Sequence, residues 1–264
     1  MLKAKKSLGQ NFLKSSQILN KIIETADLKA SDVILEVGPG KGVLTKKLLE
    51  KVKKVVAIEK DARLIEFLQE KFKDEIKNGK LELIYGDILK IVSSKLIRLE
   101  QKNYKIVANL PYYITGQFLR KFLSSNHPPT TMVIMLQKEV AQRITTTKKE
   151  SILSLSIKAY GQPKYITTVG AKNFSPQSKV DSAILLINNI SKNFFKDIDE
   201  QAFFQIIKTG FSKKRKMLTN NLAVNSKDKL EQIFEKLEIS LKTRAEDLSL
   251  QEWKDLAKKV AGSR

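Results

Sequence analysis

The 264-residue chain contains no cysteine and a single histidine. The missing cysteine excludes disulfides, cysteine-rich zinc sites and thiol nucleophiles. It also excludes pyrimidine C5-methylation through a cysteine adduct. A histidine-centred triad would rest on His127 alone, and Asn126-His127-Pro128-Pro129 reads as a solvated turn. The chemistry is therefore expected to run without thiols and without a metal. No apolar run approaches the length of a membrane span, and no signal-peptide core follows the basic opening residues. Acids are also scarce: 28 Asp and Glu stand against 49 Lys and Arg, a formal net charge of +21. Such an excess points to a polyanionic partner and puts nucleic acid ahead of a membrane surface.

A chain of this length is near the size at which single cores stop growing, so one large domain with a small appendage is expected. Short apolar runs at 33–37, 55–58, 81–85, 105–108 and 131–135 read as strands. Helical periodicity follows at 43–52, 61–72, 114–123 and around Val140. Repeated strand–helix units imply an α/β fold, its sheet mostly parallel and covered on both faces, with ligands at the carboxyl ends of the strands. After a helical stretch at 152–160, two further runs at 165–169 and 183–187 predict an antiparallel edge. A polar linker at 188–197 then gives way to helical periodicity. The expected division is 1–192 and 193–264.

Four successive strand ends carry chemistry. Glu36-Val37-Gly38-Pro39-Gly40-Lys41-Gly42 closes the first strand, where Gly38 and Gly40 permit a tight turn and close approach of a ligand. Glu59 ends the second strand at a spacing that suits the ribose hydroxyls of either a dinucleotide or S-adenosyl-L-methionine. Gly86-Asp87-Ile88 ends the third, where an acid can accept an adenine amino group or simply cap a helix. Asn109-Leu110-Pro111-Tyr112 ends the fourth. The Asn109 oxygen and a backbone carbonyl, that of Leu110 or Pro111, can both accept from one amino group, and Tyr112 offers a face for stacking a base. Together these ends describe a crevice for an adenosine-bearing cofactor beside a site for a nucleobase amine. Hydride transfer needs no such amine site.

On these residues the chain resembles the rRNA adenine N6-dimethyltransferase family, class I methyltransferases with a Rossmann-like sheet and a small helical C-terminal domain. The likeness covers nearly the whole sequence. It implies S-adenosyl-L-methionine as cofactor, with residues 1–192 as the catalytic domain and 193–264 as an RNA-binding domain. Lys6-Ser7-Leu8-Gly9-Gln10-Asn11-Phe12-Leu13 resembles the family's opening motif, in which Asn11 and Leu13 enclose the cofactor beside Gly38, Gly40, Glu59, Asp87, Ile88 and Asn109. Phe174-Ser175-Pro176-Gln177-Ser178-Lys179-Val180-Asp181-Ser182-Ala183 resembles a late motif whose Phe174 faces the target base opposite Tyr112. Residues 211–222 resemble the family's basic helix, making Lys213, Lys214, Arg215 and Lys216 candidates for RNA phosphates.

Two branches share these motifs. One, the KsgA type, dimethylates two adjacent adenosines near the 3′ end of 16S rRNA. The other methylates one adenosine of 23S rRNA and confers macrolide resistance. The opening motif, Asn109-Leu110-Pro111-Tyr112 and residues 179–183 look more like the first branch. That implies a cytoplasmic monomer acting on 16S rRNA in the 30S ribosomal subunit. Tyr113 and Gly116 depart from that branch's usual Asn and small hydroxyl residue, and Ser178 replaces its usual proline. An RNA- or DNA-binding factor whose catalysis is secondary is the reading from another class.

Overall fold

The computed structural model describes residues 2–5, 8–91, 103–222 and 227–261. Lys6 and Ser7 of the opening motif lie outside them. The first compact unit holds the residues up to Ala141 together with Gln162–Ile190. Its centre is β2 (Val33–Val37), in which every residue is buried. A strand with such a near-continuous apolar sequence can be stable only with cover on both faces. On one side it pairs in parallel with β3 (Lys54–Glu59), which pairs with β4 (Leu81–Tyr85). On the other it pairs in parallel with β5 (Tyr104–Asn109), which pairs with β6 (Thr131–Gln137).

The antiparallel edge predicted from sequence is present. β9 (Ser182–Asn188) runs against β6, and β7 (Gln162–Val169) runs against β9, giving the order β4-β3-β2-β5-β6-β9-β7. A separate two-stranded pairing joins β1 (Phe12–Leu13) to β8 (Phe174–Ser175). Helices between the strands cover the sheet. α1 (Ser16–Thr25) is capped by Ser15, and α3 (Ala62–Lys71) by Asp61, each through a backbone amide of the first turn. α2 (Val43–Leu49) has no side-chain cap and opens on Gly42. Leu48 of α2 and Leu68 of α3 are fully buried with Ile34, Val55 and Ala57 of the sheet. Each such aliphatic side chain contributes about 1.5–3 kcal/mol relative to exposure.

The second unit comprises Gln142–Gly161 and the residues from Ser191 onward. This differs from the division expected at 192/193. Helix Ile152–Tyr160 falls in the sequence between two strands of the first unit, but its Leu155 and Ala159 are buried in a cluster with Phe203, Phe234 and Trp253. Burial of that apolar face sets its allegiance, and strand–helix rhythm along the chain carries no sign of it. Gly210 ends helix Glu200–Gly210 beneath the fully buried Trp253. A Cβ there would fall 2.4 Å from the indole Cη2, so the glycine lets this helix approach helix Leu250–Ala261, which carries Trp253. Among the described residues, no helix is long and apolar enough to cross a membrane.

Candidate active site

From β2 the sheet grows one way to β3 and β4 and the other way to β5 and β6. The strand order therefore reverses between β2 and β5, and such a switch point leaves a crevice beyond the carboxyl ends of the strands. Val37 and Ala108 are register partners, which brings the loops after the two strands side by side. A cavity of about 390 Å³ opens there, within the range typical of small-molecule sites. Every residue anticipated around the cofactor or the amine lines this one cavity, from Asn11 and Leu13 to Phe174.

The glycine loop packs closely against neighbouring rings. Gly40 has φ +58°, and a Cβ on it would meet the Phe12 ring at 2.9 Å. Gly42 has φ +71°, and its Cβ would fall 2.4 Å from Phe72 Cε2. Both positions therefore require glycine for conformation and for space. Glu59 is almost wholly buried, and burial pushes its pKa up against the lowering effect of the bonds it accepts. Its Oε1 accepts from the Lys60 and Asp61 amides at 2.8 and 2.9 Å, and its Oε2 accepts from Gly40 at 3.3 Å. A carboxylate offers about four acceptor positions, so these three bonds leave one open on Oε2.

Of its two anticipated roles, Asp87 shows the cap. Oδ1 caps a turn by accepting from the Leu89 amide at 3.0 Å, while Oδ2 pairs with Lys60 at 2.8 Å. Burial pushes its pKa up, but Lys60 and the amide outweigh that and hold it below the usual value. Ile88 beside it is buried against the cavity.

Glu36 is a site residue that the sequence motifs do not single out. It is 1% exposed, lines the cavity, and its Oε2 has no hydrogen-bond partner. Burial drives its pKa from 4.5 up to about 8; Thr45 draws it back down and Glu59 adds to the rise. An orphaned buried acid facing a cavity is a place for a cationic ligand group. The available signal is an acid inside an otherwise apolar strand, Val33–Val37.

At the end of β5, the Asn109 amide nitrogen donates to the Asn11 carbonyl at 3.3 Å, and among the described residues nothing donates to its Oδ1. The Pro111 carbonyl already accepts from Ile114 at 3.2 Å. The Leu110 carbonyl accepts nothing from the described residues, which favours Leu110 over Pro111 as second acceptor. The Tyr112 hydroxyl is fixed by Ser182 at 2.7 Å and Ser178 at 3.2 Å. Ser178, where a proline was expected, thus helps to orient that ring. Phe174 is buried, and its strand pairs it with Leu13. At Gly116 a Cβ would meet nothing.

The opening segment is tied down through Asp61, which is not among the residues lining the cavity. Gln10 bridges the Lys5 amide (2.7 Å) and Asp61 (3.0 Å). Arg63 is the main influence holding the buried Asp61 carboxyl well below the usual carboxylate range, with Gln10 assisting. Gln10 stands in the opening motif, but no sequence pattern ties it to a partner 51 residues away.

In the second unit, Lys213, Lys214, Arg215 and Lys216 are all exposed. They do not form the basic helix the resemblance implied. They lie in a turn between Gly210 and Leu218, held by Asn221, which donates to the carbonyls of Gly210 (2.6 Å) and Lys213 (3.1 Å). The amide nitrogen of Asn221 takes up carbonyls that a continued helix would satisfy internally.

The family model described as "Ribosomal RNA adenine dimethylase" matches residues 1–261. A Dehalococcoides mccartyi protein named "Ribosomal RNA small subunit methyltransferase A" is 43% identical, the match covering 99% of this chain and 90% of that one. The crystal structure of a dimethyladenosine transferase from Plasmodium falciparum superposes with a TM-score of 0.80 at 27% identity, covering 94% of this chain and 98% of that one. The 23S rRNA methyltransferase ErmE shares the fold, with a TM-score of 0.76 at 22% identity over 95% of this chain and 100% of that one.

Proposed function

Because a family model spans nearly all of it, the chain belongs to the ribosomal RNA adenine dimethylase family, and we propose that it dimethylates N6 of two adjacent adenosines near the 3′ end of 16S rRNA. We further propose that the substrate is the 30S particle and that the enzyme is a cytoplasmic monomer. The observation that carries the reading is the amide of Asn109: its nitrogen is committed to Asn11, which leaves its oxygen to accept from an amino group, as the Leu110 carbonyl that follows it in the chain can.

S-adenosyl-L-methionine, when bound, supplies an electrophilic methyl group on a sulfonium. The residues fit it. Gly40 lets the Phe12 ring close on the loop, Glu59 holds an acceptor for a ribose hydroxyl, Asp87 one for an adenine amine, and Glu36 is the unpartnered buried acid that ionises against a cationic end. The target adenosine, unpaired in a loop, is turned into the cavity at small cost. Tyr112 and Phe174 stack on it. Asn109 and Leu110 accept from its N6, drawing the nitrogen lone pair out of ring conjugation and aiming it. The contribution is orientation and charge placement. No strong base is needed, because the amine becomes acidic only after it has been methylated.

The test is nucleoside mass spectrometry after incubation with S-adenosyl-L-methionine and undermethylated 30S subunits, or with unmodified 23S rRNA. N6,N6-dimethyladenosine at two adjacent 16S positions is the expected product. Product from 23S rRNA alone would move the chain to the resistance branch, and no product from either would leave a binding factor.

The exposed turn at Lys213–Lys216 is proposed to meet RNA phosphates. Replacing Lys213, Lys214 and Arg215 with alanine should weaken binding and lower the slope of log K against log salt by about 2, since each phosphate neutralised on single-stranded RNA contributes roughly 0.7. An unchanged slope in a salt titration would remove the turn from the interface.

A further inference from the structure

Four aromatic residues line the cavity: Phe12, Tyr112, Tyr113 and Phe174. Tyr113 is exposed over 61% of its surface, whereas Phe12 and Tyr112 are half-buried. Tyr112 is pinned by two serine hydroxyls, Phe174 is buried, and Phe12 lies under the Lys41 ammonium. Among the described residues, none bonds to the Tyr113 hydroxyl and no other ring stacks on it. The methyl transfer proposed for the cavity gives it nothing to do.

Its backbone, by contrast, is firmly held. Tyr113 is the middle residue of a 3-10 turn, Tyr112–Ile114, that follows Pro111 (φ −58°). The Ile114 amide donates to the Pro111 carbonyl, and the Thr115 hydroxyl donates to the Tyr112 carbonyl at 3.0 Å. One edge of the ring packs on Gly9, where a Cβ would lie 3.4 Å from Tyr113 Cε1. The result is a preorganised aromatic face at the rim, one residue along the chain from the ring proposed to stack on the target base.

Turning a base out of an RNA loop leaves its neighbour without a stacking partner, and an aromatic face at the rim restores what is lost. We propose that Tyr113 is a stacking platform for the nucleobase flanking the adenosine in the cavity. With two adjacent target adenosines, it would hold one while the other reacts. This inference rests on the RNA-methylation reading above. It makes Tyr113 a positioning residue for the strand, acting on RNA rather than on the cofactor.

The test compares wild type with Tyr113→Ala and Tyr113→Phe, using undermethylated 30S subunits and initial rates. Tyr113→Ala is expected to raise KM for the particle about tenfold or more, as loss of one base–aromatic stack implies. KM for S-adenosyl-L-methionine should not change. Tyr113→Phe keeps the ring and should restore the particle KM to within about twofold, since stacking needs the π-face and not the hydroxyl. An unchanged particle KM in Tyr113→Ala overturns the proposal. So does an equal rise in both KM values, which would mean that the ring only braces the Gly9 segment over the cofactor. Failure of wild type to methylate the particle at all would instead overturn the functional reading on which this rests.

Discussion

Asn109→Ala is expected to lower the single-turnover methylation rate by about 10²- to 10³-fold, the scale seen when one preorganised polar group facing a reacting centre is removed. Affinity for RNA should stay within about twofold, because phosphate contacts supply most of it. The split follows from geometry. Asn109 is at the last position of β5, and its amide nitrogen is anchored on the Asn11 carbonyl at 3.3 Å. That bond sets the direction of Oδ1 before any substrate arrives, so the acceptor acts without reorganisation. Alanine removes both acceptor and anchor. Asn109→Asp separates the two, since it retains an oxygen but turns the donor toward Asn11 into a repelling acceptor. Its rate should fall between wild type and alanine. Rapid-quench methylation and filter binding measure the two quantities, and equal loss of rate and affinity in a folded Asn109→Ala would end the assigned role.

The central strands of the sheet were legible because they are short, mostly apolar runs. Val33–Val37 could be a buried parallel strand, and it pairs on both sides in register. The strand-end motifs were legible for a related reason: in such sheets function collects at the carboxyl ends. The pairing of Phe12–Leu13 with Phe174–Ser175 was not legible. Two residues carry no periodicity, and the partner strand is far along the chain. The same holds for Gln10 with Asp61, where one amide and one buried carboxylate meet only through the fold. Helix Ile152–Tyr160 was recognisable as a helix, but its unit was not, because apolar spacing shows that a face is buried and not against what. For Lys213–Lys216 the charge was visible and the conformation was not, since the turn depends on the side chain of Asn221.

Glu36→Gln should stabilise the cofactor-free protein near neutral pH while weakening its hold on S-adenosyl-L-methionine. Burial raises the Glu36 pKa from 4.5 in the unfolded chain to about 8 in the fold. Between those values the unfolded chain has lost the proton and the native protein retains it. Native binds more protons, so the free energy of unfolding falls as pH rises, by about 1.4 kcal/mol per unit, and levels off above the folded value. At pH 7 the accumulated loss is roughly 3 kcal/mol by the same relation. Glutamine cannot ionise and removes this slope, although its amide brings a donor into a spot where Oε2 has no partner, and that takes back about 1 kcal/mol or more. Glu59, also raised by burial, leaves some slope of the same sign in the variant. Asp61, whose carboxyl is held below the usual range, contributes stability that is lost only as pH falls well into acid, outside this window. Thermal unfolding from pH 5.5 to 8.5 should therefore show the Glu36→Gln midpoint falling less steeply with pH and lying several degrees higher at pH 8, at about 2–4 °C per kcal/mol. Added S-adenosyl-L-methionine should reverse the order. In wild type it offers a cation to an acid that ionises on contact, so its stabilising shift should grow with pH. In the variant the shift should be small and flat. Parallel pH profiles for the two proteins would show that Glu36 is already ionised in the empty crevice, and equal cofactor shifts would show that its charge does not face the ligand.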